Sequence, residues 1–84
     1  MNSPYNVHNV IEIFDAKTEK YLESIIIPKE RKRQLFELMG WQQPEDEIFS
    51  YDGLSMHQLT VIGEWLDRDL TSPLWDIQIS GIAK

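Results

Sequence analysis

Two apolar runs near the start of the chain have the residue pattern of β-strands. In residues 10–14, Ile11 and Ile13 share one face, and residues 21–27 alternate in the same way. The polar residues 15–20 between the two runs are short enough to close a hairpin. Both runs are apolar on much of both faces, so we predict two antiparallel strands at or near the centre of a sheet.

Two helices are predicted further along the chain. Pro28 suits the entry to a helix over residues 30–39, and Gly40 follows it as a C-terminal cap. Ser55 and Gln58 fit a capping box, with a hydrophobic staple between Leu54 and Leu59 around it. This second helix is expected to run to about residue 70, before a Thr-Ser-Pro break.

Two further strands complete the predicted fold. Residues 48–51 are a short strand candidate between the helices. Residues 75–80 alternate strictly, with Trp75, Ile77 and Ile79 facing the core and Asp76, Gln78 and Ser80 expected to be exposed. We therefore predict an α+β fold of order β-β-α-β-α-β, with two helices packed on one face of a mainly antiparallel, four-stranded sheet.

Length and composition suggest one cytoplasmic domain spanning residues 1–84. A chain of 84 residues corresponds to a single core. It has no cysteine, which suits a reducing compartment. There is neither a signal-peptide pattern nor a run of about 18 apolar residues that would cross a membrane.

The charge of the chain is distributed unevenly. Residues 1–33 hold five acids and six bases, a balance of +1, whereas residues 34–84 hold nine acids against Arg68 and Lys84, a balance of −7. Such an acidic surface repels phosphate backbones and attracts a basic protein. Alternatively, the acids serve only solubility.

Residues that bind a partner are predicted around these acids. Trp41 and Tyr51 flank the acidic loop and are candidate aromatic anchors, with Trp41 expected to be partly exposed. The other candidates are carboxylates of the loop and of the outer face of the second helix: Glu45, Asp46, Glu47, Asp52, Glu64, Asp67 and Asp69. The alternative reading of these acids is a solvated loop and an ordinary polar helix face.

Signatures of catalysis, cofactors and metals do not appear in the sequence. The chain has no thiol, no glycine-rich phosphate loop and no zinc-ligand spacing. The acidic loop lacks the ligand alternation of a calcium loop. Ser55, His57 and Asp52 are close in sequence, but Ser55 is explained by capping. We expect a protein that is not an enzyme and needs no cofactor.

The layout of the chain resembles a known class of small proteins. It combines the opening hairpin through residues 13–18, the segment 47–52 leading into the capped second helix, and the closing strand 75–79. These features together resemble small bacterial immunity proteins against nuclease toxins, of the contact-dependent growth inhibition or colicin type. The resemblance implies a monomer that binds a basic nuclease toxin, such as an RNase acting on tRNA, in a 1:1 complex.

Two other hypotheses come from different classes. An acidic adaptor domain that binds an unrelated protein would carry the same charge pattern. A small enzyme that uses His57 is the more remote alternative. A toxin gene directly beside the gene for this chain would favour the immunity hypothesis over the adaptor.

Overall fold

A computed structural model of the protein describes residues 7–83. Its sheet has three antiparallel strands in the order β2-β1-β3. The strands are β1 (Val7–Asp15), β2 (Tyr21–Ile26) and β3 (Trp75–Ala83). The helices are α1 (Lys32–Met39) and α2 (Met56–Leu66), and short 3₁₀ segments span Lys29–Arg31 and Pro44–Ile48.

Both helices contribute to one core on a single face of the sheet. The inward positions of β1 and β3 pack with the apolar side chains of both helices because alternate strand residues face the same side. The buried cluster comprises Ile11, Ile13, Ile27, Leu35, Phe36, Trp41, Ile62, Leu70, Ile77 and Ile79. The predicted burial of Ile77 and Ile79 is thus confirmed. Trp75, which was predicted to lie in this core, is only half-buried against it.

The prediction of a four-stranded sheet is wrong, because residues 48–51 do not form a strand. Pro44 begins a 3₁₀ segment that runs to Ile48, and the Asp46 carboxylate accepts the Gln43 N–H at its start (3.1 Å). Of the predicted strand, Tyr51 pairs with Ile79 through two backbone hydrogen bonds of 2.8 and 2.9 Å, as an isolated bridge. The sheet therefore has three strands, and β2 lies at its edge rather than near its centre.

The predicted helix caps are present, although both helices are shorter than expected. Gly40 adopts a left-handed conformation (φ 71°) at the end of α1, and α1 begins at Lys32 after a 3₁₀ turn. At α2, the Gln58 N–H donates to Ser55 Oγ (3.1 Å) and the Ser55 N–H donates to Gln58 Oε1 (2.8 Å). Helix α2 ends at Leu66 because Asp67 turns left-handed (φ 55°).

The sheet face opposite the helices is less exposed than predicted. Gln78 is half-buried and Ser80 is buried, although both were expected to be exposed. The Ser80 hydroxyl donates to Glu12 Oε1 (2.5 Å) and lies 2.9 Å from the Ser50 hydroxyl. The Gln78 amide also donates to Glu12, at 2.9 Å. Polar side chains from three segments thus cover one another on this face.

Candidate protein-binding surface

The nine residues predicted to bind a partner lie in different surroundings. Some are buried or hydrogen-bonded side chains that stabilise the segment between the helices. Others are exposed around two separate surface hollows. The nine residues therefore do not form one continuous surface patch.

Glu47 is an internal group, although the sequence suggested a surface charge. Its side chain is fully buried, and its Oε1 atom lies 2.6 Å from Lys32 Nζ and accepts from the Asn9 amide at 3.3 Å. Lys32 also donates to the Val7 carbonyl at 2.9 Å. The Oε2 atom of Glu47 is buried and has no hydrogen-bond partner among residues 7–83. This carboxylate fastens the 3₁₀ segment to β1 and α1 and cannot contact a partner.

Asp46 and Tyr51 are joined by a hydrogen bond in the same region. The Asp46 carboxylate accepts the N–H groups of Gln42 (3.0 Å) and Gln43 (3.1 Å), and the Tyr51 hydroxyl donates to the Asp46 carbonyl at 2.7 Å. Burial, together with the charge of Asp46, raises the pKa of Tyr51.

Trp41 was expected to be partly exposed, and this expectation is wrong. Its ring is buried between those of Phe36 and Tyr51, with centroids 5.2 and 5.4 Å away. Trp41 directly follows the left-handed Gly40, and its indole packs back against the core. There it stabilises the fold through aromatic contacts. Glu45 is the one member of the acidic loop run 45–47 that is exposed.

Three predicted carboxylates gather around a hollow beside the end of α2. Glu64, Asp67 and Asp69 are exposed and line a cavity of about 390 Å³. Arg68 also lines it, but its guanidinium binds both carboxylate oxygens of Glu23, at 2.6 and 3.0 Å. This bidentate pair lowers the pKa of Glu23, chiefly through the hydrogen bond from Arg68.

Asp69 is held in a defined orientation at the rim of this hollow. Its Oδ1 atom accepts from the Thr71 hydroxyl (2.6 Å) and from the Thr71 N–H (2.9 Å). These two hydrogen bonds lower the pKa of Asp69, so the group is ionised at neutral pH.

Asp52 lies in a second hollow with Glu19 and Asp76, which were not among the predicted binding residues. Glu19, Asp52 and Asp76 come from three separate segments and line a cavity of about 540 Å³ with Phe14, and no base from residues 7–83 lines it. Asp76 was recognisable as an outward residue of the last strand. Glu19 was not, because its place depends on how the β1–β2 turn folds. Glu19 has a φ of 63°, which is uncommon for a residue other than glycine.

The acidic half of the chain is scarcely compensated by bases in space. Within residues 34–83, ion pairs involve two acids, Glu37 with Arg33 and Glu47 with Lys32. Arg68 pairs instead with Glu23 from the other half. Seven carboxylates of this part of the chain have no basic partner among residues 7–83: Glu45, Asp46, Asp52, Glu64, Asp67, Asp69 and Asp76.

Neither metal ligation nor a membrane span is apparent among residues 7–83. No group of three or more His, Cys, Asp or Glu side chains in this part of the chain has a geometry that could hold a metal ion. No helix in the same range is long and apolar enough to cross a bilayer.

A known family covers nearly the whole of this fold. The model of a domain of unknown function, DUF7683, matches residues 8–80, from the start of β1 into β3. The chain belongs to the DUF7683 family. No curated protein and no solved structure matches it. The matched residues include both acidic hollows, so the surface described above lies within the DUF7683 domain.

Proposed function

We propose that this DUF7683 domain binds a basic protein and neutralises it, as an immunity protein does with a nuclease toxin. The observation that carries the proposal is the acidic half without compensating bases. Seven carboxylates there lack a basic partner within residues 7–83, and Arg68 is held by Glu23. Unpaired surface carboxylates raise the rate at which a basic protein associates and favour its correct orientation.

The hollow lined by Glu19, Asp52 and Asp76 supports a basic partner in particular. A lysine or arginine side chain entering it would place its charge near three carboxylates and its methylene groups against Phe14 and Ile77. A nuclease holds its polyanionic substrate in a basic groove, and an acidic surface that fills this groove competes with the substrate. Close charge pairs at such interfaces couple by about 1.5 to 7 kcal/mol.

The remaining features of the proposal follow from the immunity hypothesis. Inhibition by contact requires no catalytic group, so we propose a protein that is not an enzyme and uses no cofactor. It would act in the cytoplasm, where a nuclease toxin reaches its substrate, with one toxin bound per chain. A nuclease that cleaves tRNA is the proposed target class.

The test is co-expression with the product of the neighbouring gene, scored as rescue of growth. One variant carries Asp52→Lys with Asp76→Lys, and another carries Glu64→Lys. Glu30→Lys is the matched control for Glu64→Lys, since it makes the same charge change at an exposed residue outside the acidic half. We expect both acidic variants to lose rescue while the control keeps it, with folding checked by thermal unfolding.

Association rates measured at two salt concentrations test the mechanism separately. The loss in the acidic variants should shrink at high salt, because the Debye length falls from about 10 Å at 0.1 M to about 3 Å at 1 M. Salt-independent binding, or an equal loss in Glu30→Lys, would overturn the electrostatic mechanism. Binding of the neighbour without rescue of growth would favour the adaptor function instead.

A further inference from the structure

The two edges of the sheet are protected differently. Beside β3, Tyr51 bonds to the backbone of Ile79, and the backbone of the 3₁₀ segment lies against Gly81. A Cβ atom added to Gly81 would clash with the Glu47 carbonyl oxygen. Beside β2, no strand or bridge pairs with the edge among residues 7–83. Within residues 7–83, the β2 edge is therefore open to another strand.

The register shows which backbone groups of β2 point outward. The Ile27 N–H donates to the Asn9 carbonyl at 2.8 Å, so the odd-numbered positions of β2 bond to β1. Opposite pairs alternate between hydrogen-bonded and non-hydrogen-bonded in antiparallel sheets. Ser24 and Ile26 therefore present their N–H and C=O groups to the open edge.

This edge lacks several of the features that prevent strand addition, although a β-bulge at Leu22 interrupts its pairing with β1. Residues 21–27 contain no proline and no lysine, and their one charge, Glu23, is neutralised by Arg68. Tyr21, Leu22 and Ile26 are 56%, 47% and 59% exposed. An apolar edge strand with free backbone groups favours pairing with another strand.

We propose that the open edge of β2 binds β2 of a second copy of this chain, antiparallel, about a twofold axis at Ser24. This pairing places Ile26 of each copy opposite the bulged Leu22 of the other copy and would join the two three-stranded sheets. A symmetric contact of this kind is self-complementary. The proposal is independent of the proposed function and departs from the monomer expected from the sequence.

Charge favours this edge over the rest of the surface as the place where two copies meet. Two chains of net charge −6 repel each other over most of their surfaces. At the twofold axis each copy brings one Glu23 with its bound Arg68, so the paired strands carry no net charge. A contact between two single strands buries less area than a standard interface of about 1,600 Å². We therefore expect a weak, concentration-dependent dimer.

Sedimentation equilibrium of the full chain from about 10 μM to about 1 mM tests the proposal, since this range covers weak association. Ile26→Lys places a charge at the edge, and Ile82→Lys is the matched control because Ile82 is 51% exposed on the same sheet face in β3. The wild type and Ile82→Lys should dimerise with dissociation constants equal within about threefold. Ile26→Lys should weaken dimerisation at least tenfold.

Three outcomes would overturn the proposal. A wild type that stays monomeric throughout the range excludes the second copy. An equal loss in both lysine variants shows that the edge is not the contact. A monomeric wild type whose Ile26→Lys variant loses binding to the neighbouring gene's product assigns the edge to that partner. The growth-rescue experiment with the acidic-surface variants tests the proposed function, and its result does not depend on any of these three outcomes.

Discussion

Residues 45–47 and residues 64–69 hold three carboxylates each, yet the two segments place them in different surroundings. In the first, Asp46 caps the start of the 3₁₀ segment and Glu47 is buried against Lys32. In the second, Glu64, Asp67 and Asp69 are all exposed at the rim of one hollow. Two of the three acids of the first segment therefore stabilise the fold, and those of the second are available to a partner.

The difference arises from residues distant in the sequence. Lys32 and Asn9 meet Glu47 because α1 and β1 pack beside the 3₁₀ segment, and Gly81 lets its backbone approach β3. Asp69 meets Thr71 instead, and Glu64 and Asp67 face the solvent. Net charge alone therefore does not separate carboxylates that hold the fold from those that can bind.

The largest effect is expected at Glu47. Glu47→Ala should destabilise the domain by about 3 to 5 kcal/mol, because it leaves the mostly buried Lys32 ammonium without its ion-pair partner. Urea unfolding measures the loss, with Glu45→Ala as the matched control in the same segment, expected within about 0.5 kcal/mol of wild type.

A double variant separates the ion pair from simple loss of volume. Lys32→Met combined with Glu47→Ala should be more stable than Glu47→Ala alone, since it removes the unpaired charge. A double variant as unstable as the sum of the two single variants would contradict a coupled buried pair.

Gly81→Ala tests the close approach that holds Glu47 in place. The added Cβ would clash with the backbone of Glu47 and Ile48, so the 3₁₀ segment must move away from β3. We expect a loss of about 1 to 3 kcal/mol, the usual cost of overpacking. Gly40→Ala is the comparison: its Cβ meets nothing within 4 Å and its cost comes from the left-handed backbone alone. Crystallography of Gly81→Ala should show the Glu47–Lys32 pair displaced.

Local signals in the sequence predicted the parts of the fold that local interactions determine. The first hairpin, the Ser55–Gln58 box, the Gly40 cap and the alternation of β3 each depend on residues a few positions apart. Two helices on one face of an antiparallel sheet followed from their apolar stripes.

The remainder depends on contacts that one sequence does not reveal. The apolar residues of 48–51 resemble a strand, but Pro44 and Asp46 begin a 3₁₀ turn that includes Ile48. The burial of Trp41 and Glu47 depends on Phe36 and Lys32 reaching them from α1. The acidic hollow at Asp52 forms when Glu19 and Asp76 come together from separate strands and turns. From the sequence, the charge of Glu47 favoured the surface, and so did the position of Trp41 beside the acidic loop.

A smaller effect is expected at Asp46, whose role is a cap. Asp46→Ala should destabilise the domain by about 1 kcal/mol, because the Gln42 and Gln43 N–H groups lose their acceptor. Ser55→Ala at the cap of α2 should cost a similar amount, and Ser55→Asp less, since a carboxylate also caps. Thermal unfolding of the three variants measures this. A stability loss from Asp46→Ala as large as that from Glu47→Ala would mean that Asp46 does more than cap.

The smallest effect is expected at the exposed carboxylates after α2. The Thr71 hydroxyl is the main cause of the lowered pKa of Asp69, and the Thr71 N–H adds to it. Thr71→Val should therefore raise the pKa of Asp69 part of the way toward its ordinary value of 3.8. Asp15 is the internal control: its pKa is lowered chiefly by the backbone N–H groups of Thr18 and Lys17, so Thr71→Val should leave it unchanged. NMR titration of the carboxyl carbons measures both.

The sign of the stability effect follows from the direction of this shift. A carboxyl with a lowered pKa in the folded state stabilises the fold above its unfolded pKa, and the contribution is lost as pH falls through the folded pKa. Thr71→Val should therefore lose a little stability at neutral pH and approach the wild type at acid pH. If Asp69 keeps its lowered pKa in Thr71→Val, the Thr71 hydroxyl is not the main cause of the shift, and the hydrogen bond from the Thr71 N–H accounts for it.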